Sequence, residues 1–145
     1  MRHDLIVSQT GLIDASLEQV WRGLTEPEII KLYLHGTQTI TDWKVGNEIV
    51  FQGEYQDQIY RDHGRILEFT PLKKITYTYF SRFFGLPDAP ENYMEVSYIL
   101  EDRGQGQTAL TWMQSGYADE AAQQKAQAGM EAYLITIKAA IEENA

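Results

Sequence analysis

The sequence predicts an α+β domain in which a curved antiparallel sheet of about six to seven strands wraps one long C-terminal helix. Three observations predict it. Several segments between residues 48 and 114 alternate apolar and polar side chains with period two. Residues 119–145 instead carry an apolar stripe with helical period. Two capping patterns just after the first strand announce short helices.

His3 to Asp14 reads as a strand, with Leu5, Val7 and Ile13 on one parity and Ile6 and Thr10 on the other. Ser16-Leu17-Glu18-Gln19 fits a capping box, and Leu17, Val20, Trp21 and Leu24 follow at helical spacing. Thr25-Glu26-Pro27-Glu28 reads as a second box, opening a helix through Ile29, Ile30 and Tyr33 that Gly36 ends. Glu48 to Tyr55 sets Ile49, Phe51, Gly53 and Tyr55 against Glu48, Gln52 and Glu54. Ile59 to Phe69 is a further strand whose alternation is muddled by Asp62, His63 and Gly64. Lys74 to Arg82 puts Ile75, Tyr77 and Tyr79 on one face, and Met94 to Leu100 puts Met94, Val96, Tyr98 and Leu100 there. Thr108 to Gln114 adds Leu110 and Trp112. Such alternation marks a sheet with one dry face and one wet face. Gly46-Asn47 and Gly104-Gln105-Gly106 punctuate hairpins. Asp119 is the predicted N-cap of the last helix, whose stripe is Met130, Tyr133, Leu134, Ile137 and Ile141.

The chain has 145 residues and reads as a single domain over 1–145, without repeat or linker. A chain of this length buries roughly 68–70% of its unfolded surface and needs no staples. Cys is absent, so disulfides, thiolate metal sites and a Cys nucleophile are excluded. The N-terminal residues show no leader pattern, and no apolar run approaches the ~20 residues of a membrane span. A cytoplasmic location is expected. The formal net charge is -9, which repels a phosphate backbone, so nucleic acid is not an expected partner.

Particular segments resemble the SRPBCC or START-like superfamily, whose fold is the helix-grip. Within it the chain is most similar to the family named for activators of the heat-shock ATPase chaperone. Ile13-Asp14-Ala15, Val20-Trp21 and Leu24-Thr25-Glu26-Pro27-Glu28 resemble its N-terminal signature. Asp42-Trp43-Lys44-Val45-Gly46 resembles an acidic-basic-Val-Gly turn. Gly64-Arg65-Ile66-Leu67-Glu68-Phe69-Thr70-Pro71 resembles a Gly-x-Val-x-Glu strand end, and Gly106-Gln107-Thr108-Ala109-Leu110 resembles the last hairpin. The likeness spans essentially the whole chain. It departs at Ser16-Leu17, where Pro is common, and at Gly129-Met130, where Gly-Trp is common.

The resemblance implies a space between sheet and helix. Ala122, Ala126 and Gly129 are small residues on the first half of the last helix, and they place that space opposite themselves. The wall expected from the strands is Phe51, Tyr55, Tyr77, Tyr79, Met94, Tyr98 and Trp112, with Gln114 orienting a ligand and Met130 and Tyr133 facing it from the helix. Such a wall suits a planar apolar molecule with a few polar edges. The alternative is that these rings interlock and hold nothing. Phe83-Phe84-Gly85-Leu86-Pro87-Asp88-Ala89-Pro90 is too apolar for a solvated hairpin loop. It is read as a plug or lid first, and as a homodimer or protein-partner contact through Phe83, Phe84 and Leu86 second.

No nucleophile elbow, phosphate loop or metal-spaced histidine pair is present, so neither a cofactor nor a metal is expected. Arg61, His63 and Arg65 share one strand parity; facing inward they are acid/base candidates, and facing outward they are a charged sheet surface, which is the favoured reading. The leading function is binding of a small hydrophobic or aromatic molecule without catalysis. The alternatives are an enzyme of the polyketide-cyclase or aromatase type, needing His63 or Arg65 inside, and a chaperone co-factor or interaction module.

Overall fold

A computed structural model describes all 145 residues. The chain runs β1 (Arg2–Ile13), α1 (Leu17–Thr25), α2 (Pro27–Tyr33), β2 (Gln38–Ile40), β3 (Glu48–Tyr55), β4 (Gln58–Thr70), β5 (Lys74–Tyr79), β6 (Met94–Gly104), β7 (Gln107–Tyr117) and α3 (Glu120–Glu143). Seven strands form one sheet in the order β1-β7-β6-β5-β4-β3-β2, and every pairing is antiparallel. The sheet curves around α3, as the α+β helix-grip reading expects. β2 is the addition: three residues are too few to show alternation.

The first capping box forms as expected. The Ser16 hydroxyl accepts from the Gln19 N–H at 3.2 Å, and the Gln19 side chain accepts from the Ser16 N–H at 2.8 Å. The second does not. Thr25 is still in the last turn of α1, where its hydroxyl donates to the Trp21 carbonyl at 2.9 Å. The N-cap of α2 is Glu26, without a side-chain cap, and Pro27 starts the helix, where its missing N–H leaves nothing unpaired. Gly36 does close α2, at φ 82° with its N–H on the Lys31 carbonyl. Asp119 caps α3 through the Ala122 N–H at 2.9 Å.

β3 and β4 join through Gln56-Asp57, both left-handed at φ 50° and 62°. A two-residue turn of that hand matches the strand twist, and it forms here without glycine or asparagine. From Arg61 to Ile66 β4 does alternate, with Asp62 and Ile66 buried and Arg61 and Arg65 exposed, before a register shift between Ile66 and Glu68 brings Phe69 against the core. Gly64 sits on the inner parity. A Cβ there would lie 1.6 Å from the Thr78 carbonyl oxygen on β5. The strands close on each other at this point, and the Arg65 N–H turns to the Thr78 hydroxyl at 2.9 Å.

Val7, Ile13, Val20, Ile49, Ile66, Ile75, Leu110, Ile137 and Ile141 are wholly buried and make the core. Each such side chain contributes about 1.5–3 kcal/mol by leaving water. α3 lies along β1 and β7, and its C-terminal half meets α1 and α2. Gly23 of α1 touches Ile141 so closely that a Cβ would sit 2.4 Å from its Cγ1, and the Tyr33 hydroxyl donates to the Gly23 carbonyl at 2.9 Å. No helix is long and apolar enough to cross a membrane.

Gly64→Ala is expected to lower unfolding free energy by roughly 2–4 kcal/mol, because the clash is with backbone that cannot rotate away. Urea denaturation measures it. A loss below ~1 kcal/mol would show that β4 and β5 separate freely at this site.

Candidate ligand-binding cavity

α3 covers one side of the sheet and leaves the β3–β5 side without a helix against it. Between them lies a cavity of about 760 Å³, open at one end. Small-molecule sites occupy roughly 300–1,000 Å³. Strand register builds the wall: Phe51 pairs with Asp62, Tyr77 with Val96, Val96 with Gln114 and Tyr98 with Trp112. These positions all face inward and line the space, with Tyr79 beside them. Tyr133 closes it from α3. The rim is Leu34, His35 and Thr37 after α2, Glu54, Tyr55 and Tyr60 from the β3–β4 hairpin, and Phe83.

The rings meet edge-on or tilted rather than filling the space. Phe51 lies 5.5 Å from Tyr77 and 5.6 Å from Tyr79, and Trp112 lies 5.8 Å from Tyr133. Such contacts fix the wall and each add about 0.5–1.5 kcal/mol. The hydroxyls find different partners: Tyr98 and Tyr133 share a hydrogen bond of 2.9 Å, Tyr33 donates to the Gly23 carbonyl, and Tyr79 donates to Asp62. Burial pushes the phenols of Tyr33, Tyr77 and Tyr133 well above the ordinary value of 10.0, and raises Tyr98 as well. All four are held as neutral phenols in the fold.

Tyr60 is held by an absence. It pairs with Gly53 across the hairpin, and a Cβ on Gly53 would lie 2.4 Å from the Tyr60 hydroxyl. The ring crosses β3 at that gap to share a 2.5 Å hydrogen bond with Thr37. Asp62, 6% exposed, is the one buried acid of the wall. The Tyr79 hydroxyl donates to its Oδ2. Its Oδ1 is buried and has no hydrogen-bond partner. Burial and the neighbouring carboxylate together push the Tyr79 phenol strongly upward.

Eight of the ten residues expected at the site line the cavity: Phe51, Tyr55, Tyr77, Tyr79, Tyr98, Trp112, Gln114 and Tyr133. Tyr55 stands at the mouth, 60% exposed. Met94 and Met130 lie elsewhere. Met94 takes a hydrogen bond from Gln114 at its sulfur, 3.0 Å, and Met130 is packed in the core. The space is also not where the small residues of α3 placed it. None of Ala122, Ala126 and Gly129 lines it, and Gly129 is exposed with nothing within 4 Å of a Cβ. The helix-side wall is instead the large Tyr133, because the N-terminal half of α3 packs toward β1, as the Gln123 contact with the Ile6 carbonyl shows.

Tyr60, Asp62 and Val96 were missing from the expected set. Period-two counting back from Ile66 puts Tyr60 and Asp62 inside, which is the signal that finds them. Arg61, His63 and Arg65 are on the outer face, as favoured. There His63 contacts Asp88 at 3.0 Å, and Asp88 accepts from the Tyr93 hydroxyl at 2.5 Å, in a separate groove of about 480 Å³. Burial and Asp88 raise the Tyr93 phenol to about 12.

The loop over the mouth contains two short 3-10 turns, Arg82–Phe84 and Pro90–Asn92. Phe83 packs edge-on against Tyr60 at 6.3 Å and remains 56% exposed. Phe84 turns inward against Tyr79 and Phe80, while Leu86 stays exposed.

Residues 14–142 match the family model described as Activator of Hsp90 ATPase homolog 1-like protein. The solution structure of ChR145 from Cytophaga hutchinsonii is similar at TM-score 0.83 and 34% identity, covering 99% of this chain and 98% of that one. CalU16 from Micromonospora echinospora matches at TM-score 0.71 and 20% identity, over 94% of this chain and 75% of its own. CV1439 from Chromobacterium violaceum matches at TM-score 0.74 and 23% identity, over 96% and 98%. The last two likenesses show the fold alone. No curated protein matches the chain.

Tyr79→Phe removes the donor to Asp62 and is expected to lower stability by about 1–3 kcal/mol. The double variant with Asp62→Asn should lose less than the sum of the two single changes, measured by urea denaturation in a double-mutant cycle. The raised phenols set an alkaline limit. Because their folded pKa lies above the unfolded one, their stabilisation is complete below pH 10.0 and is lost as pH rises past it. Melting temperature should therefore fall above that pH, and a share of the phenolate absorbance, that of the buried tyrosines, should appear only with unfolding.

Proposed function

The chain belongs to the Activator of Hsp90 ATPase homolog 1-like family, and from that premise we propose that it binds a small hydrophobic or aromatic molecule between sheet and C-terminal helix, without catalysing a reaction on it. The observation that carries this reading is the ring-lined cavity of about 760 Å³. Its walls hold their shape through ring contacts and hydroxyl pairs that need no ligand, so the site is largely formed beforehand.

The cyclase or aromatase alternative asked for an inward His63 or Arg65, and both side chains lie on the other face of the sheet from the cavity. The interaction-module alternative asked for a closed interior and a free Phe83-Phe84-Leu86 surface. Here Phe83 and Phe84 pack on Tyr60 and Tyr79, while Phe83 and Leu86 remain exposed on that loop. The loop supports the reading of a cover over the mouth.

A panel of aromatic and lipid-like compounds, followed by thermal shift and Trp fluorescence, tests the proposal. A true ligand at about 100 times its Kd stabilises by about 2.7 kcal/mol, which raises the melting temperature by roughly 5–10 °C in a chain of this size. Trp112 lines the cavity whereas Trp21 and Trp43 stack on Phe69, so Trp112→Phe should remove the fluorescence response while the thermal shift persists. Val96→Phe, which grows into the cavity from the middle of β6, should abolish both with the fold intact. A panel that produces no shift in the wild-type protein would end this reading.

A further inference from the structure

The cavity is apolar by area but not neutral in character. Its ionisable side chains, phenols aside, are Asp62 in the wall and Glu54 and His35 at the rim; no Lys or Arg lines it. Arg82, next to the rim residue Phe83, is engaged: its guanidinium donates to the Ile59 carbonyl at 3.1 Å and lies 5.3 Å from the Phe83 ring. Asp62 is the unusual member. A carboxyl group has room for several donors, and this one, 6% exposed among Phe51, Tyr60 and Tyr79, receives one. Its Oδ1 is buried without a partner. Leaving a buried acceptor unmet is unfavourable, so the group is placed for a donor that the chain does not supply. The Asp terminal torsion is soft, so a small rotation presents either oxygen to the cavity.

Resting on the ligand-binding reading above, we infer that the ligand is an aromatic amine bound as its cation, with the ammonium on the Asp62 carboxylate and the ring system between Tyr77, Tyr98 and Trp112. Three features of the chain agree on this class. The carboxylate gives a charge-assisted hydrogen bond, the strong kind. Phe51 pairs with Asp62 in register and Tyr79 donates to it, so the carboxylate sits among rings with no basic side chain beside it. The chain's net charge of -9 attracts a cation toward the mouth and repels an anion. An anionic ligand such as a fatty acid would meet Asp62 and Glu54 with no compensating base. Tyr79 acts as a positioning residue, holding the carboxyl while leaving capacity for the ammonium.

Three probes of one shape separate the outcomes: naphthylethylamine, ethylnaphthalene and naphthylacetic acid, titrated into the full chain by thermal shift and Trp fluorescence at neutral pH. The amine is expected to bind at least about tenfold more tightly than the acid. Asp62→Asn should erase that preference and leave ethylnaphthalene binding unchanged, whereas Glu54→Gln should retain it. Equal binding of amine and acid, or a preference that survives Asp62→Asn, overturns the inference while ethylnaphthalene binding preserves the cavity reading. No binding by any of the three, together with a silent compound panel, overturns both. If Asp62→Asn does not fold, the wild-type ratio of amine to acid decides alone.

Discussion

One helix cannot cover seven strands. Strands spaced about 4.8 Å apart span roughly 29 Å across the sheet, and a helix with its side chains is about 10–12 Å wide. Here α3 takes the β1 and β7 side, and α1 and α2 cover its C-terminal half. The β3–β5 side must be closed by something other than a helix. Curvature brings that arm of the sheet back toward α3, and long aromatic side chains reach across the remaining distance. The cavity is what the curvature and the rings leave over.

That closure depends on places where side chains are missing. Gly23 lets α1 and α3 meet at Ile141, so the covered end is tight. Gly64 lets β4 press on the Thr78 carbonyl of β5, where the sheet changes direction. Gly53 lets Tyr60 fold across β3 and tie the hairpin to Thr37 after α2. The three contacts fix, in turn, the dry end, the bend and the rim. Each sets a backbone approach that no side chain could reproduce.

The chemistry of the interior follows from the same geometry. Buried phenols keep their protons and bond to whatever the wall offers: Tyr98 and Tyr133 to each other, Tyr60 to Thr37 and Tyr79 to Asp62. Asp62 differs: one of its oxygens accepts from Tyr79 and the other is buried without a partner. The charged residues of β4 on the opposite parity belong to a different surface. There His63, Asp88 and Tyr93 pair among themselves under solvent. Family membership supplies the scaffold and does not by itself fix what the interior holds.

The order of elements was legible in the sequence because alternation and capping are local. Period two placed Phe51, Tyr77, Tyr98 and Trp112 on the dry face, and Ser16 and Asp119 marked helix starts that the structure keeps. The two-residue β3–β4 turn was not legible, since Gln56-Asp57 lacks the glycine or asparagine that usually marks one. The inner parity of β4 was legible only as the favoured side of two readings, because Asp62 and Gly64 disguise its apolar face. The position of the cavity was decided by tertiary structure alone. A helix stripe reveals which residues face inward but not which strand they meet. Small residues on α3 therefore pointed to the wrong neighbour, and it was the sideways seat of α3 over β1 that set Tyr133 opposite Asp62 and Tyr79. Side-chain direction is a local property that sequence period encodes; the distance between elements far apart in the chain depends on how the whole sheet bends, and no local pattern carries it.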